Sequence, residues 1–260
     1  MTLRRIIIAL LALFALNAIY VGASLLVGRT PPVFFFMLVT FLPFTVAILH
    51  AGGRLGWRSM VMMLGISFAV SLTFESIGVA TGRIYGSYHY AEFLQPKFLG
   101  LVPLFVPLGW FLMSYPAFVM ADWMTPVAWA RLKRAAVVAT LGALAMTAWD
   151  VVLDPARVQV GQWVWETEGA YFGVPLQNYW GWWLTTFTAL FLFMLLTRYA
   201  PHRRSASFDR LALTSYVLIG ASEISSALIL GLGGPALAGF FAMLPWALWA
   251  GMEMAREHSI

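Results

Sequence analysis

The side chains best suited to acid–base chemistry in this sequence are three carboxylates near the ends of apolar segments. Glu75 lies inside one such segment shortly before Gly82, and Asp150 and Asp154 lie near the end of another. A carboxylate at apolar depth in a membrane is unfavourable unless it pairs, holds a proton or faces a wet cavity, so these residues are candidates for function. For Glu75, the alternative is a hydrogen bond that only holds helices together.

Asp150 and Asp154 share one face if their segment is helical, because residues four apart align along a helix. Two adjacent carboxylates repel each other when both are ionised. One of them would therefore hold a proton beside an ionised partner, the arrangement that general acid–base chemistry uses. Pro155 is expected to prevent the helix from continuing unchanged. The alternative assigns Asp154 to helix capping or to a pair with Arg157, and leaves Asp150 as the only buried acid.

Polar and aromatic residues elsewhere could complete a site with these acids. Glu223, near the middle of a later apolar segment and flanked by serines, could line the same cavity or pair structurally across the bundle. Asn178 and Trp182 enter another apolar segment at the interface that holds the acids. Indole rings at such a position are usually interface anchors, but rings that face inward could stabilise a cation.

Metal and nucleotide chemistry have no matching pattern in the sequence. The chain has four scattered histidines and no cysteine, so neither thiolate nor clustered histidine ligands are available. His50 ends an apolar segment, His89 is a lone loop histidine, and His202 and His258 lie in basic or terminal segments. Glycine-rich stretches lack the lysine of a phosphate loop. We therefore expect no metal and no cofactor.

The elements that position these residues follow from the composition. The 260 residues are 61% hydrophobic and 10% charged, whereas soluble domains have about 25% charged residues. The apolar residues fall in eight blocks of about twenty, the length that crosses a hydrocarbon core about 30 Å thick. We expect an all-α, polytopic transmembrane helical bundle that forms a single integral-membrane domain, 1–260, with a site-bearing core at about 75–183. The predicted helices are 6–27, 33–49, 60–80, 101–121, 135–153, 180–197, 211–232 and 235–254.

Basic residues predict the orientation of this bundle. Twelve of the 16 Lys and Arg residues, among them Arg203 and Arg204, fall on one side if the eight segments alternate. Because cytoplasmic loops carry the basic excess, we expect both termini in the cytoplasm of a multi-pass plasma-membrane protein. The net charge of +5 then reflects orientation and contact with anionic lipid, and no nucleic-acid partner is expected.

Two longer connections, 81–100 and 154–179, fall on the opposite side and are rich in Tyr, Trp, Gly and Pro. Aromatic residues of this kind suit a membrane interface. The blocks ESIGVATGRIYGSYHY, VPLFVPLGW, WDVVLDP, GQWVWE and YFGVPLQNYWGWW resemble the CruF-type carotenoid biosynthesis proteins, integral-membrane hydratases that include the bisanhydrobacterioruberin hydratases. The resemblance covers roughly residues 75 to 183.

This resemblance implies addition of water across the terminal C1,2 double bond of an acyclic carotenoid end group, without a cofactor. Its motif positions are Glu75, Gly82, Tyr88, Tyr90, Asp150, Asp154, Pro155, Trp163, Trp165, Asn178 and Trp182. Asp150 would be the acid, and ionised Glu75 or Asp154 would orient the water and accept its proton. Substrate-binding candidates are Tyr88, Tyr90, Trp110, Trp163, Trp165, Asn178, Trp182 and Glu223.

Two other classes of protein remain open. Buried carboxylates in a helical bundle also mark proton-coupled carriers and lipid flippases, although no duplicated half is evident in this sequence. The other class is a carotenoid-binding membrane protein without catalytic activity, in which the acids would be structural. The partners expected of the hydratase are a carotenoid, water and membrane lipid, and the sequence does not fix the oligomeric state.

Overall fold

The computed structural model describes residues 2–200 and 205–256. His202, Arg203, Arg204 and His258, which entered the sequence predictions, lie outside the described residues. The described chain is an all-α bundle, which confirms the predicted fold class. Its helices are α1 (Leu3–Leu26), α2 (Val33–Leu55), α3 (Trp57–Thr81), α4 (Val106–Met124), α5 (Arg131–Gln159), α6 (Leu176–Leu196), α7 (Ala206–Ile229) and α8 (Gly233–Arg256).

Contacts between helix ends show that the bundle has two distinct ends. At one end, Arg54 of α2 contacts Asp122 of α4 and Asp209 of α7. We call this the basic end. At the other, Trp110 of α4 contacts Glu75 of α3. We call this the site end. Each helix therefore runs from one end to the other.

Seven of the eight described helices are long and apolar enough to cross a membrane; the exception is α4. With 19 residues, α4 still extends about 28 Å, close to the thickness of a hydrocarbon core. All of its residues except Leu108 and Gly109 are buried. The helix is surrounded by the other helices and does not face lipid, so it tolerates the polar side chains that lower its hydropathy.

The fourth helix begins later than its sequence suggests. The apolar pattern predicted a start at Leu101, but a short hairpin occupies the preceding residues. In this hairpin β2 (Lys97–Phe98) pairs antiparallel with β3 (Val102–Pro103). Hydrophobicity alone does not separate a short buried strand from the first turn of a buried helix. The helix starts at Val106, after the strand pairing ends.

Helix α5 continues past Pro155, beyond the predicted end of this segment at residue 153. The helix continues to Gln159. A proline at this position cannot donate to the carbonyl one turn earlier, which here belongs to Val151. The Tyr171 hydroxyl donates to that carbonyl at 3.2 Å. A side chain from the following loop thus replaces the missing partner, and Asp150, Asp154 and Arg157 remain on one continuous helix.

The basic end is held by buried charges. The Arg54 side chain donates to Asp122 at 2.6 Å and to Asp209 at 2.9 Å, and Arg134 also pairs with Asp122. All four side chains are almost completely buried. Two of the basic residues that predicted orientation therefore neutralise aspartates inside the protein. His50, predicted at a helix end, is buried beside this network and contacts the Tyr115 hydroxyl at 2.6 Å.

Candidate active site

Glu75 lies at the centre of the candidate active site, in the last two turns of α3. Its Oε1 accepts a hydrogen bond from Trp110 Nε1 at 3.0 Å. Its Oε2 accepts one from the Tyr90 hydroxyl at 2.8 Å and a second from the Tyr88 hydroxyl. Each donor is neutral and interacts more strongly with an ionised carboxylate than with a neutral acid. The three donors therefore favour a Glu75 carboxylate that can accept a proton.

The two tyrosines are positioned by a strand pair that joins the long connections. Strand β1 (Tyr88–Tyr90) pairs antiparallel with β4 (Trp163–Trp165), so that Tyr88 is opposite Trp165 and Tyr90 is opposite Trp163. Side chains alternate along a strand, which directs Tyr88 and Tyr90 to the same side and leaves His89 exposed. The pairing explains how residues 73 and 77 positions apart contribute to one site.

Both phenols stay protonated over an unusually wide pH range. Burial, and then the nearby charge of Glu75, raise the pKa of Tyr88 well above its usual value. The same two causes raise the pKa of Tyr90. A protonated phenol can donate to Glu75, so the hydrogen bonds that hold the carboxylate persist through neutral and alkaline conditions.

Asp150 and Asp154 form the second acidic group of the site. The Asn178 side-chain nitrogen donates to Asp150 Oδ2 at 3.0 Å and also to Asp154 Oδ2. The other oxygen of each aspartate is buried without a hydrogen-bond partner among the described residues. Two buried carboxylates this close do not both ionise, so the pair holds at least one proton. The alternative in which Asp154 pairs with Arg157 is wrong, because Arg157 pairs with Glu223 instead.

Arg157 and Glu223 form an ion pair beside the acids. Arg157 Nη2 donates to Glu223 Oε1 at 2.7 Å. Helix α7 runs from Ala206 to Ile229 instead of the predicted 211–232, and because it ends at Ile229, Glu223 lies in its last two turns, at the site end. The two roles considered for Glu223, cavity lining and pairing across the bundle, both occur.

Three indole rings cover the acids from one side. Trp110 stacks on Trp182 with ring centroids 4.3 Å apart, and Trp149 meets Trp182 edge-on at 6.0 Å. The faces of such rings carry negative charge density and attract cations. The stack therefore provides an apolar surface that can also stabilise positive charge near Glu75 and Asp154.

A cavity of about 1050 Å³ brings these residues together. Ten of the eleven predicted site residues line it, and Asp150 does not, so Asp150 lies behind Asp154 relative to the cavity. The lining residues among those predicted are Glu75, Tyr88, Tyr90, Trp110, Asp154, Trp163, Trp165, Asn178, Trp182 and Glu223.

The rest of the cavity wall is apolar and reaches the lipid-facing surface. Helix α1 lines it from Phe14 to Leu26, a length of about 18 Å along the helix. Ile19 and Leu26 of α1 and Leu228 of α7 belong to this wall and are 67%, 71% and 59% exposed. Part of the cavity wall is therefore exposed on the outer surface of the bundle, where a lipophilic molecule can enter from the membrane.

Tyr85 and Trp149 were not predicted as site residues, although both line the cavity. The Tyr85 hydroxyl bonds Thr185 at 2.6 Å, and its ring fills the space beside two glycines, Gly78 and Gly181, where an added methyl group would clash with it. Tyr85 lies in the same aromatic block as Tyr88, and Trp149 directly precedes Asp150. Proximity to predicted residues was the only available signal.

Within the described residues, no three His, Asp or Glu side chains come together in a way that could hold a metal ion. The groups that the site does offer are a hydrogen-bonded carboxyl group, a pair of aspartates that share a donor, and aromatic faces. They lie in an apolar cavity that is open to the membrane. These are the components of acid–base chemistry on a lipophilic molecule.

The fold and the site define a polytopic membrane protein with an acid-lined, lipid-accessible cavity. A family model described as carotenoid biosynthesis protein matches residues 33–245, and the chain belongs to that family. The chain is also 31% identical over 166 residues to the bisanhydrobacterioruberin hydratase of Haloarcula japonica, an alignment that covers 62% of this chain and 52% of that protein. The chain thus spans about half the length of this relative. No solved structure matches the chain significantly.

Proposed function

We propose that this protein is a carotenoid hydratase. It adds water across the terminal C1,2 double bond of an acyclic end group, such as that of lycopene or gamma-carotene, and yields a tertiary 1-hydroxy carotenoid without a cofactor. The observation that carries the proposal is the presence of Glu75 and Asp154, two carboxylates in different hydrogen-bonding environments, in one apolar cavity open to the membrane. The hydratase name of the Haloarcula relative supports it.

Asp154 is the proton donor in this proposal, with Asp150 behind it. The sequence assigned that role to Asp150, but Asp154 is the member of the pair that lines the cavity. Its proton adds to C2, the less substituted carbon, and leaves positive charge on C1. Asp150 contributes by keeping the pair in its singly protonated state, because a second charge beside the first is unfavourable.

Water and the aromatic faces complete the reaction. The water oxygen attacks C1 and its surplus proton passes to the Glu75 carboxylate, whose ionised form is stabilised by hydrogen bonds from three donors. The faces of Trp110 and Trp182 stabilise the tertiary cation before water attacks. Proton exchange with solvent at the site end returns Glu75 and Asp154 to their starting states, so the net reaction consumes one water and no other reactant.

The shape of the cavity suits a long polyene that lies along α1. The apolar wall of about 18 Å is shorter than the hydrocarbon core of about 30 Å, so part of an extended carotenoid projects out of the cavity into the membrane. The reacting end then lies beside Glu75 and Asp154 at the site end. Water is more accessible there than at the bilayer midplane.

In this proposal, residues 1–260 form one integral-membrane domain in the plasma membrane. The basic end and both termini lie in the cytoplasm, and the site end lies on the opposite face. This orientation rests on the basic excess in alternate connections. A C-terminal fluorescent reporter should then be active and a C-terminal phosphatase inactive. The reverse pattern contradicts the orientation.

The direct test is expression in a host that accumulates lycopene. The expected product is one water heavier than the pigment and has lost a terminal double bond that is isolated from the conjugated chromophore, so its absorption spectrum is unchanged while its polarity rises. Membrane-inserted protein that binds pigment without converting it supports the non-catalytic carotenoid-binding alternative. Proton-coupled movement of a solute without conversion supports a carrier. Either result contradicts the hydratase proposal for this substrate.

A further inference from the structure

The ion pair between Arg157 and Glu223 is the charged feature of the cavity that the proposed reaction does not use. Both residues line the cavity, and Arg157 Nη2 bonds Glu223 Oε1 at 2.7 Å. The Glu223 side chain is 7% exposed and that of Arg157 is 28% exposed. An ion pair is unfavourable in an apolar cavity unless it serves a purpose or is well compensated, and Glu223 Oε2 has no partner among the described residues.

Arg157 is close to the proposed proton donor along the same helix. Asp154 and Arg157 are three residues apart on the continuous helix α5, and side chains three apart lie on neighbouring positions of one helix face. Asp154 Oδ1 is buried without a hydrogen-bond partner in the described part of the chain. Yet no ion pair joins these two described residues, and the guanidinium is directed to Glu223 on α7 instead.

The direction of this guanidinium matters for a proton donor. An arginine that bonds a carboxylate stabilises its ionised form, and an ionised Asp154 has no proton to give to an alkene. We infer that Glu223 is a positioning residue that holds Arg157 away from Asp154 and so preserves the protonated state of the Asp150–Asp154 pair. This inference rests on the proposed hydratase function and assigns Glu223 a role other than direct contact with the substrate.

The test compares four forms of the full-length protein, reconstituted in vesicles with lycopene. They are the wild type, Glu223→Gln, Arg157→Gln and the double variant Glu223→Gln/Arg157→Gln. In Glu223→Gln the freed guanidinium turns to Asp154, and kcat falls at least tenfold, as expected when a general acid worth about 10²–10⁴-fold is partly lost. KM stays within about twofold, because no substrate contact is removed.

The double variant distinguishes this role from a structural one. Removal of Arg157 as well leaves no cation to pair with Asp154, and kcat returns to within about threefold of the wild type. Arg157→Gln alone keeps at least a third of the wild-type kcat. If Glu223 only braces α5 against α7, the double variant is as impaired as Glu223→Gln, and that result overturns the inference. Wild-type kcat in Glu223→Gln also overturns it.

An infrared measurement gives a second readout that does not depend on turnover. The carbonyl stretch of a protonated carboxylic acid, identified by its loss in Asp154→Asn, should weaken in Glu223→Gln and recover in the double variant. An unchanged band in Glu223→Gln contradicts the inference. If Glu223→Gln is not recovered folded, Glu223→Met, which also removes the carboxylate, takes its place in the same comparison. If the wild-type protein leaves lycopene unchanged, the hydratase proposal fails for this substrate. That failure is distinguishable from failure of the present inference, which requires an active wild type and is decided by the variants.

Discussion

Asp150 and Asp154, one turn apart on α5, accept hydrogen bonds from the same side-chain nitrogen, that of Asn178. The shared donor holds the two carboxylates together, and both side chains are buried. Only Asp154 lines the cavity. The pair therefore has an inner member that sets its charge and an outer member that faces the substrate.

Substitution of the outer aspartate should remove most of the activity. In Asp154→Asn no proton is available at the cavity wall, and kcat for lycopene hydration should fall about 10²–10⁴-fold, the usual contribution of a general acid. Asp150→Asn should also lose at least tenfold, because a neutral neighbour no longer opposes ionisation of Asp154. Turnover is measured by chromatography of extracted pigment. Glu168→Gln, in an exposed loop, is the control and should be normal. Normal turnover of Asp154→Asn removes that residue from the mechanism.

Loss of either phenol that donates to Glu75 should weaken catalysis without unfolding the protein. Tyr90→Phe removes a 2.8 Å bond to the carboxylate, and hydrogen bonds to charged groups contribute about 1.5–3 kcal/mol. We expect kcat to fall about tenfold or more in Tyr90→Phe and Tyr88→Phe. Tyr20→Phe, on an exposed part of α1, serves as the matched control. If both active-site variants keep full kcat, the phenols do not support a catalytic Glu75.

The aromatic faces of the indole stack, and not only the volume that the rings fill, should contribute to catalysis. A desolvated cation–π contact contributes about 2 kcal/mol, so Trp182→Leu should reduce kcat about 30-fold, whereas Trp182→Phe should keep part of the activity. Trp180 lies on the same helix and is 57% exposed, so Trp180→Leu should have no effect on kcat. Equal activity of the Leu and Phe variants at position 182 argues against cation stabilisation by this ring.

The charges at the basic end should determine stability and not turnover. Arg54→Met removes the buried cation that bonds both Asp122 and Asp209. Removal of one member of a buried ion network typically destabilises the fold by about 3–5 kcal/mol. We expect a markedly lower midpoint of unfolding in detergent. Arg58→Met, at an exposed position nearby, should unfold like the wild type. Equal midpoints for the two variants contradict a stabilising role of this network.

The helices and the central acids could be predicted from the sequence because the membrane imposes strong constraints. Apolar blocks of about twenty residues have few alternatives to a spanning helix, and a carboxylate such as Glu75 stands out against them. Ten predicted residues line one cavity for the same reason. The local pattern failed at α4, whose start depends on the β2–β3 hairpin, and at Pro155, whose missing hydrogen bond is replaced by Tyr171.

The features that the sequence missed depend on contacts between distant segments. Arg54 and Arg134 match the basic pattern of a cytoplasmic loop, and only the packing of α2, α4, α5 and α7 shows that both neutralise buried aspartates. The pairing of β1 with β4 joins two loops that have no common sequence signal. The choice of Glu223 over Asp154 as the partner of Arg157 depends likewise on the position of α7.

The central claim is that Asp154 supplies a proton to C2 and that water supplies the oxygen at C1. The most direct test is mass spectrometry and NMR of the product formed from lycopene by reconstituted wild-type protein, first in deuterium oxide and then in heavy-oxygen water. We predict one deuterium at C2 and one heavy oxygen at C1 for each hydrated end, and turnover lower by about 10²-fold or more in Glu75→Gln and Asp154→Asn. Oxygen that does not come from water, or wild-type turnover by both variants, contradicts this mechanism.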